Sequence, residues 1–224
     1  MSALKDYDHA DRVFFRGRTH TIPALDVDLD DVRKTYETNV FGVMAMCQAF
    51  SPLLIAAKGL IINISSVSSI TPYLFGSVYS STKGALNTYS RVLRLELQPF
   101  HVRVMVSMTG TVRSNIASHF DRALPENSLY QPADSIFRER LAFSQTNNTI
   151  PASRYASTLV AQALKGEGYM GGWFARSPDW LWAGGLARTT WFLSLLPLST
   201  AEHLAAAYFG IKQITSKIEE ASRE

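Results

Sequence analysis

Leu60-Ile-Ile-Asn-Ile-Ser-Ser-Val-Ser-Ser-Ile-Thr-Pro-Tyr-Leu-Phe-Gly-Ser-Val-Tyr-Ser-Ser-Thr-Lys83 opens as a short β-branched apolar run and crosses a serine cluster and a Pro/Gly loop. It ends at helical spacing. Leu60 to Ile64, bounded by Gly59 and the serines, reads as a strand buried on both faces. Tyr79 and Lys83 stand four residues apart, so on a helix they share one face. Ser66 leaves the strand at its carboxyl end. A hydroxyl, a phenol and an amine in this order offer acid–base chemistry beyond a strand end.

The surroundings extend the pattern. Asp28 is a candidate cap for a helix starting at Leu29, with Asp30 and Asp31 in its first turn and Gly59 as its stop. Val32, Tyr36, Val40, Val43, Cys47 and Leu54 recur along it at helical spacing. The helix from Ser77 carries Leu86, Val92, Leu93 and Leu97 and ends before Pro99, and Val102 to Met108 reads as a second buried strand. Strand, helix, strand at this spacing is a βαβ unit with parallel strands, so the fold class is α/β. Sites in such sheets form beyond the carboxyl ends of the strands, where Ser65, Ser66 and the Thr109-Gly110-Thr111 turn would sit.

Residues 111 to 150 read as a flap over that site, with one helix from Asp134 to Phe143. A helix from Pro151 to Lys165 and a short strand from Tyr169 to Ala175 would close the sheet. From Pro178 onward, Trp180, Trp182, Trp191, Phe192 and several leucines alternate with Arg188 and Lys212. That mixture suits a lid packed on the domain, with an interfacial anchor as the second reading. Before residue 21 the chain is polar and aperiodic, apart from Val13-Phe14-Phe15.

Composition sets the outer limits. The chain has 224 residues, 46% hydrophobic and 18% charged, enough for one well-buried core. The formal charge of +3 comes from scattered Lys and Arg, which argues against a nucleic-acid footprint. Cys47 is the single cysteine, so no intrachain disulfide forms and a reducing compartment is expected. No residue set has metal-ligand spacing. The first residues lack the apolar core of a signal peptide, and no continuous apolar run approaches the roughly 20 residues of a membrane span. A cytoplasmic protein is expected, with contact to a membrane surface left open through the C-terminal region.

Taken together, these residues resemble the short-chain dehydrogenase/reductase family. Tyr79-Ser-Ser-Thr-Lys83 matches its Tyr-x-x-x-Lys motif, Ser66 lies thirteen residues before the tyrosine, and Asn39 in Thr-Asn-Val-Phe-Gly matches its fourth catalytic position. The strings Asn39-Val-Phe-Gly-Val-Met-Ala-Met, Leu60-Ile-Ile-Asn-Ile and Leu93-Arg-Leu-Glu-Leu are similar to the fungal branch typified by NADPH-dependent 1-acyldihydroxyacetone phosphate reductases. The resemblance implies that Tyr79 protonates a carbonyl oxygen and that Lys83 lowers the tyrosine pKa. It also implies that Ser66 holds the carbonyl and Asn39 anchors a water relay. Tyr79, Lys83, Val112 and Ser114 match the family's contacts to NADP.

The front of the chain departs from the family. No Gly-rich turn precedes Asn39, and where the family has Asn-Asn-Ala-Gly this chain has Phe14-Phe15-Arg16-Gly17. The expectation is a partial Rossmann-like parallel sheet whose N-terminal strands and helices are missing. It divides into a non-family segment 1–20, a truncated catalytic domain 21–177 and a hydrophobic C-terminal lid or anchor 178–224. The implied function is a carbonyl reductase acting on a lipid-like or secondary-metabolite ketone, with NADP held weakly for want of pyrophosphate contacts. Two alternatives stand beside it. One is a redox-inactive isomerase or cyclase reusing Tyr79, Lys83 and Ser66, and the other is a non-catalytic remnant. An uncovered sheet edge and apolar helix faces imply a homo-oligomer or association with a homologue.

Overall fold

The computed structural model describes residues 12–14, 17–114, 122–166 and 176–223. Among them, Arg12–Phe14 (β1), Leu60–Ser66 (β2), Arg103–Thr109 (β3) and Trp180–Ala183 form one parallel sheet. Ser66 pairs in register with Thr109, so the serine cluster and the Thr109-Gly110-Thr111 turn leave the sheet side by side. The α/β reading of the βαβ unit holds.

The segment expected as one helix is continuous from Leu29 to Ala57 but not uniform. Leu29–Tyr36 (α1) and Gly42–Ala57 (α2) are joined by a π-helical turn, Glu37–Phe41. Asp28 caps α1 as expected, accepting from the Asp30 amide at 2.9 Å. At the far end Lys58 takes the left-handed conformation, with Gly59 bonding back to Leu54. Leu29–Ala57 includes a stretch long and apolar enough by composition to cross a membrane, contrary to expectation, because Gln48, Ser51 and Pro52 break up its apolar residues in the sequence. Its buried face, carrying Val43, Cys47 and Leu54, belongs to the core of the domain.

Ser77–Leu97 (α3) ends one residue before Gln98–Phe100, where Pro99 lies in a 3-10 turn. Residues of β2 and β3 alternate between faces. Ile61 and Val104 meet α2 and α3, while Leu60, Ile62 and Met105 meet Tyr155, Leu159 and Ala163 of Ala152–Ala163 (α5). Helices therefore cover both faces, as a buried parallel sheet requires.

Beyond β3, Val112–Arg113 (β4) pairs parallel with Ile150–Pro151 (β5), and Asp134–Thr146 (α4) lies between them in the chain. The strand expected at Tyr169 to Ala175 falls outside the described residues. Trp180–Ala183 (β6), grouped at the sequence level with the C-terminal lid, joins the sheet beside β3. Its two tryptophans are half-buried, and Leu181 and Ala183 turn inward. The turn after β3 packs backbone against backbone on Gly184 and Gly185. A Cβ on Gly110 would fall 1.8 Å from the Gly185 carbonyl oxygen, so only glycine fits.

Ala187–Leu193 (α6), Leu198–Tyr208 (α7) and Ile211–Ala221 (α8) complete the chain. Ile214 and Ile218 of α8 pack on Phe75, Leu124 and Phe137, so α8 lies over the flap. Trp191, Phe192, Leu195 and Leu196 remain exposed.

Candidate active site

Three polar ties seat α3 on the strand that carries Ser66 and on the turn that follows it. Lys83 Nζ donates to the Ile64 carbonyl at 2.8 Å, Asn87 Nδ2 to Ser69 Oγ at 2.7 Å, and Asn63 Nδ2 to Ser90 Oγ at 2.8 Å. The helix thus presents Tyr79 and Lys83 to the carboxyl end of β2. Ser66 Oγ accepts from the Ser68 amide at 3.2 Å and from Ser68 Oγ at 2.9 Å. A hydroxyl has two acceptor lone pairs and one proton, so Ser66 is left with donation.

Tyr79 is hydrogen-bonded with Ser66. Burial dominates its titration, however. It pushes the phenol up to about 12, with the neighbouring Tyr73 and Tyr155 phenols adding to the rise and Ser66 opposing it. Lys83, 4% exposed, is pushed down to about 8 by burial. Its nitrogen lies 5.7 Å from the Tyr79 ring centre. Desolvation is the largest influence on both groups, and Lys83 directs a proton to a backbone carbonyl.

The π turn accounts for Asn39. The wider turn carries it to a position with no solvent exposure. There its Oδ1 accepts from the Arg18 amide at 2.7 Å, while its Nδ2 donates to the Arg18 carbonyl at 2.8 Å and to Thr82 Oγ1 at 3.1 Å. Asn39 is joined to the helix of Tyr79 through Thr82, and its side-chain amide is fully engaged.

Val112 and Ser114 lie just past the end of β3. The Ser114 amide donates to Gln145 Oε1 at 3.2 Å, and Gln145 Nε2 donates to the Val112 carbonyl at 3.4 Å. A backbone donor and acceptor two residues apart therefore hold a primary carboxamide at both its atoms. Nicotinamide carries the same group, so this end of the site fits the nicotinamide half of the cofactor. Among the described residues no Gly-rich turn stands ready for a pyrophosphate.

Other features were not foreseen. Asp31 gathers Arg18, His20 Nε2 at 3.1 Å and Arg122 Nη2 at 2.7 Å, tying the start of the domain to the flap. Burial opposes ionisation of Asp31, but hydrogen bonds and charge from Arg122 and Arg18 prevail and hold the carboxyl below its usual range. Buried His20 is held below its usual pKa, first by desolvation. Arg140 was also missed. The available signal was its place in an i, i+3 apolar stripe, Phe137-Arg140-Phe143, all buried on α4. A cavity of about 360 Å³ lined by Pro23, Tyr73, Leu74, Ser80 and Tyr130 opens beside the start of α3. A larger one of about 660 Å³, between Asn87, Arg91, Trp180 and Trp191, touches none of the four candidate catalytic residues.

Comparison with known proteins gives the family. The sequence model described as short chain dehydrogenase matches residues 16–124. A short-chain dehydrogenase of Hypocrea virens is 37% identical over 185 residues, covering 82% of this chain and 61% of that protein. The NADPH-dependent 1-acyldihydroxyacetone phosphate reductase of Schizosaccharomyces pombe is 32% identical over 212 residues, covering 88% of this chain and 71% of the reductase. The chain thus spans about three fifths of the first of these relatives. In structure, a short-chain dehydrogenase from Streptomyces avermitilis superposes with a TM-score of 0.64 at 24% identity, over 97% of this chain and 71% of the other. The chain belongs to the short-chain dehydrogenase/reductase family.

Proposed function

We propose that this protein is a carbonyl reductase that acts on a lipid-like or secondary-metabolite ketone with NADPH. The observation that carries the reading is the convergence of Ser66, Tyr79 and Lys83 at the carboxyl ends of β2 and β3, with Asn39 held one hydrogen bond away through Thr82. When bound, NADPH supplies hydride. Ser66, its acceptor capacity already filled, donates to the carbonyl oxygen of the substrate and polarises it. Tyr79, kept neutral by burial, donates the proton that the developing alkoxide needs. Lys83, 5.7 Å from the Tyr79 ring centre, would replace that proton, and Asn39 ties to the helix on which Tyr79 stands through Thr82. Val112 and Ser114 would hold the nicotinamide carboxamide in the place now taken by Gln145. The naming of the Schizosaccharomyces pombe relative as NADPH-dependent supports the choice of cofactor.

The same proposal places the protein in the cytoplasm as a homo-oligomer or paired with a homologue. Exposed Phe41, Met46 and Leu53 on the α1–α2 helix would cover one another. Exposed Trp191, Phe192, Leu195 and Leu196 would touch a membrane surface, which co-sedimentation with phosphatidylcholine/phosphatidylserine vesicles tests.

Fluorescence titration with NADPH and a turnover assay on aliphatic ketones decide the central reading. Saturable binding and ketone-dependent oxidation of NADPH are expected. No saturation at millimolar cofactor sinks it, and cofactor-free turnover abolished by Tyr79→Phe would assign acid–base chemistry instead.

A further inference from the structure

Arg140 is 5% exposed, and its guanidinium carbon lies 4.2 Å from the ring centres of Phe143 and Phe209 and 4.6 Å from that of Tyr73. The three rings stand nearly perpendicular to one another, with interplanar angles of 71°, 85° and 70°. They form three walls of a box. Cation–π attraction accounts for the walls, and a hydrogen bond with the Tyr73 phenol answers part of the guanidinium but not all of its donors. Nε and Nη2 are buried with no hydrogen-bond partner, and among the described residues no carboxylate pairs with this arginine.

Arg94, Arg18 and Arg122 are each answered by a carboxylate. Half-buried Arg94 gives Nε to the Val104 carbonyl at 2.7 Å and Nη2 to the Asp179 carbonyl at 2.9 Å, with the Asp179 carboxylate beside it. Arg18 and Arg122 both meet Asp31. A buried guanidinium with open donors and no counter-charge is incomplete without an anion.

Its position says which anion. Tyr73, the polar neighbour of Arg140, also lines the cavity of about 360 Å³ at the start of α3, so one ring separates that cavity from the guanidinium. The same phenol lies close enough to Tyr79 to disfavour its ionisation. Tyr73 sits in the loop after β2, where turning its ring would join cavity and box. Phe143 and Phe209 supply the apolar walls, with the Tyr208 phenol also near the guanidinium.

We infer that Arg140 is the receptor for the anionic head of a ligand, a carboxylate or phosphate monoester on an apolar body, which enters from the cavity beside α3 past Tyr73. Arginine meets such oxygens with two parallel donors, and the rings exclude water from the contact. That this ligand is the substrate rests on the reading of Ser66, Tyr79 and Lys83 as the reaction centre. Binding itself does not.

The test uses the whole chain without nicotinamide. Melting temperature is followed with octanoate, octyl phosphate and, as the uncharged control, octanol, for the wild type, Arg140→Met and Arg140→Lys. At least one anion should stabilise the wild type saturably, the anion that does so naming the head group. Affinity should fall about 10- to 100-fold in Arg140→Met and less in Arg140→Lys, with octanol the same for all three. Stabilisation by neither anion, equal stabilisation of Arg140→Met, or an octanol effect as large as the anions' overturns the inference. Should Arg140→Met not fold, wild type against Arg140→Lys and charged against uncharged ligand still decide. Anion binding without ketone turnover would leave this site standing and remove the reductase reading; turnover without anion binding would do the reverse.

Discussion

Lys83 Nζ donates to the Ile64 carbonyl at 2.8 Å while standing 5.7 Å from the ring centre of Tyr79, one helical turn earlier. The amine therefore braces α3 against β2. Because it is buried, that brace is sensitive to pH. The unfolded chain holds the Lys83 proton up to its ordinary pKa of 10.5, whereas the native chain releases it near 8. Below 8 the buried charge disfavours the native state, and the disadvantage disappears as pH climbs from about 8 to 10.5. Relative to Lys83→Met, the wild type should gain about 3 kcal/mol across this window. Urea unfolding at half-unit pH steps reads the difference, from which titrations common to both proteins cancel. Parallel curves for the two proteins would contradict the burial of a titrating Lys83.

Removal of the Tyr79 hydroxyl separates chemistry from architecture. Tyr79→Phe loses its hydrogen bond with Ser66 but keeps the ring. Stability should change by no more than about 1 kcal/mol. Ketone turnover with NADPH should fall about 100- to 10,000-fold, as when a general acid is deleted. A variant retaining most of the wild-type kcat would exclude Tyr79 as the proton donor.

Asn39 predicts the opposite division. Its side chain makes three hydrogen bonds without solvent exposure, two to the Arg18 backbone and one to Thr82. Asn39→Ala strands those partners and should cost about 2–4 kcal/mol in urea unfolding, whatever happens to turnover. A cost below 1 kcal/mol would mean that water replaces the amide in the native state.

Gln145 offers a test of the carboxamide cradle. In Gln145→Ala the Ser114 amide loses its acceptor, and its hydrogen exchange should speed up in the free protein. If the nicotinamide takes the same two backbone atoms, NADPH affinity should rise roughly 5-fold once the internal competitor is gone. Faster exchange with unchanged or weaker NADPH binding would place the nicotinamide elsewhere.

Much of the site was legible in one dimension because its parts are local. Tyr79 and Lys83 share a face by helix periodicity, Asp28 caps by its own side chain, and the apolar run from Leu60 is buried because only a covered strand tolerates it. These features depend on neighbours a few residues away, so sequence alone determined the βαβ unit and the placing of Ser66 at its strand's end. Tertiary structure decided what depends on distant partners. The pKa of Lys83 turned on burial against β2 rather than on nearby Tyr79, and the Asn39 amide on Arg18, 21 residues upstream. The sheet was closed by β6, where a short Trp-rich stretch gave no sign of its pairing with β3. Arg140 shares α4 with Phe143 by helical spacing, but Tyr73 and Phe209 reach it from distant segments, and no spacing rule relates residues that only the folded chain brings together.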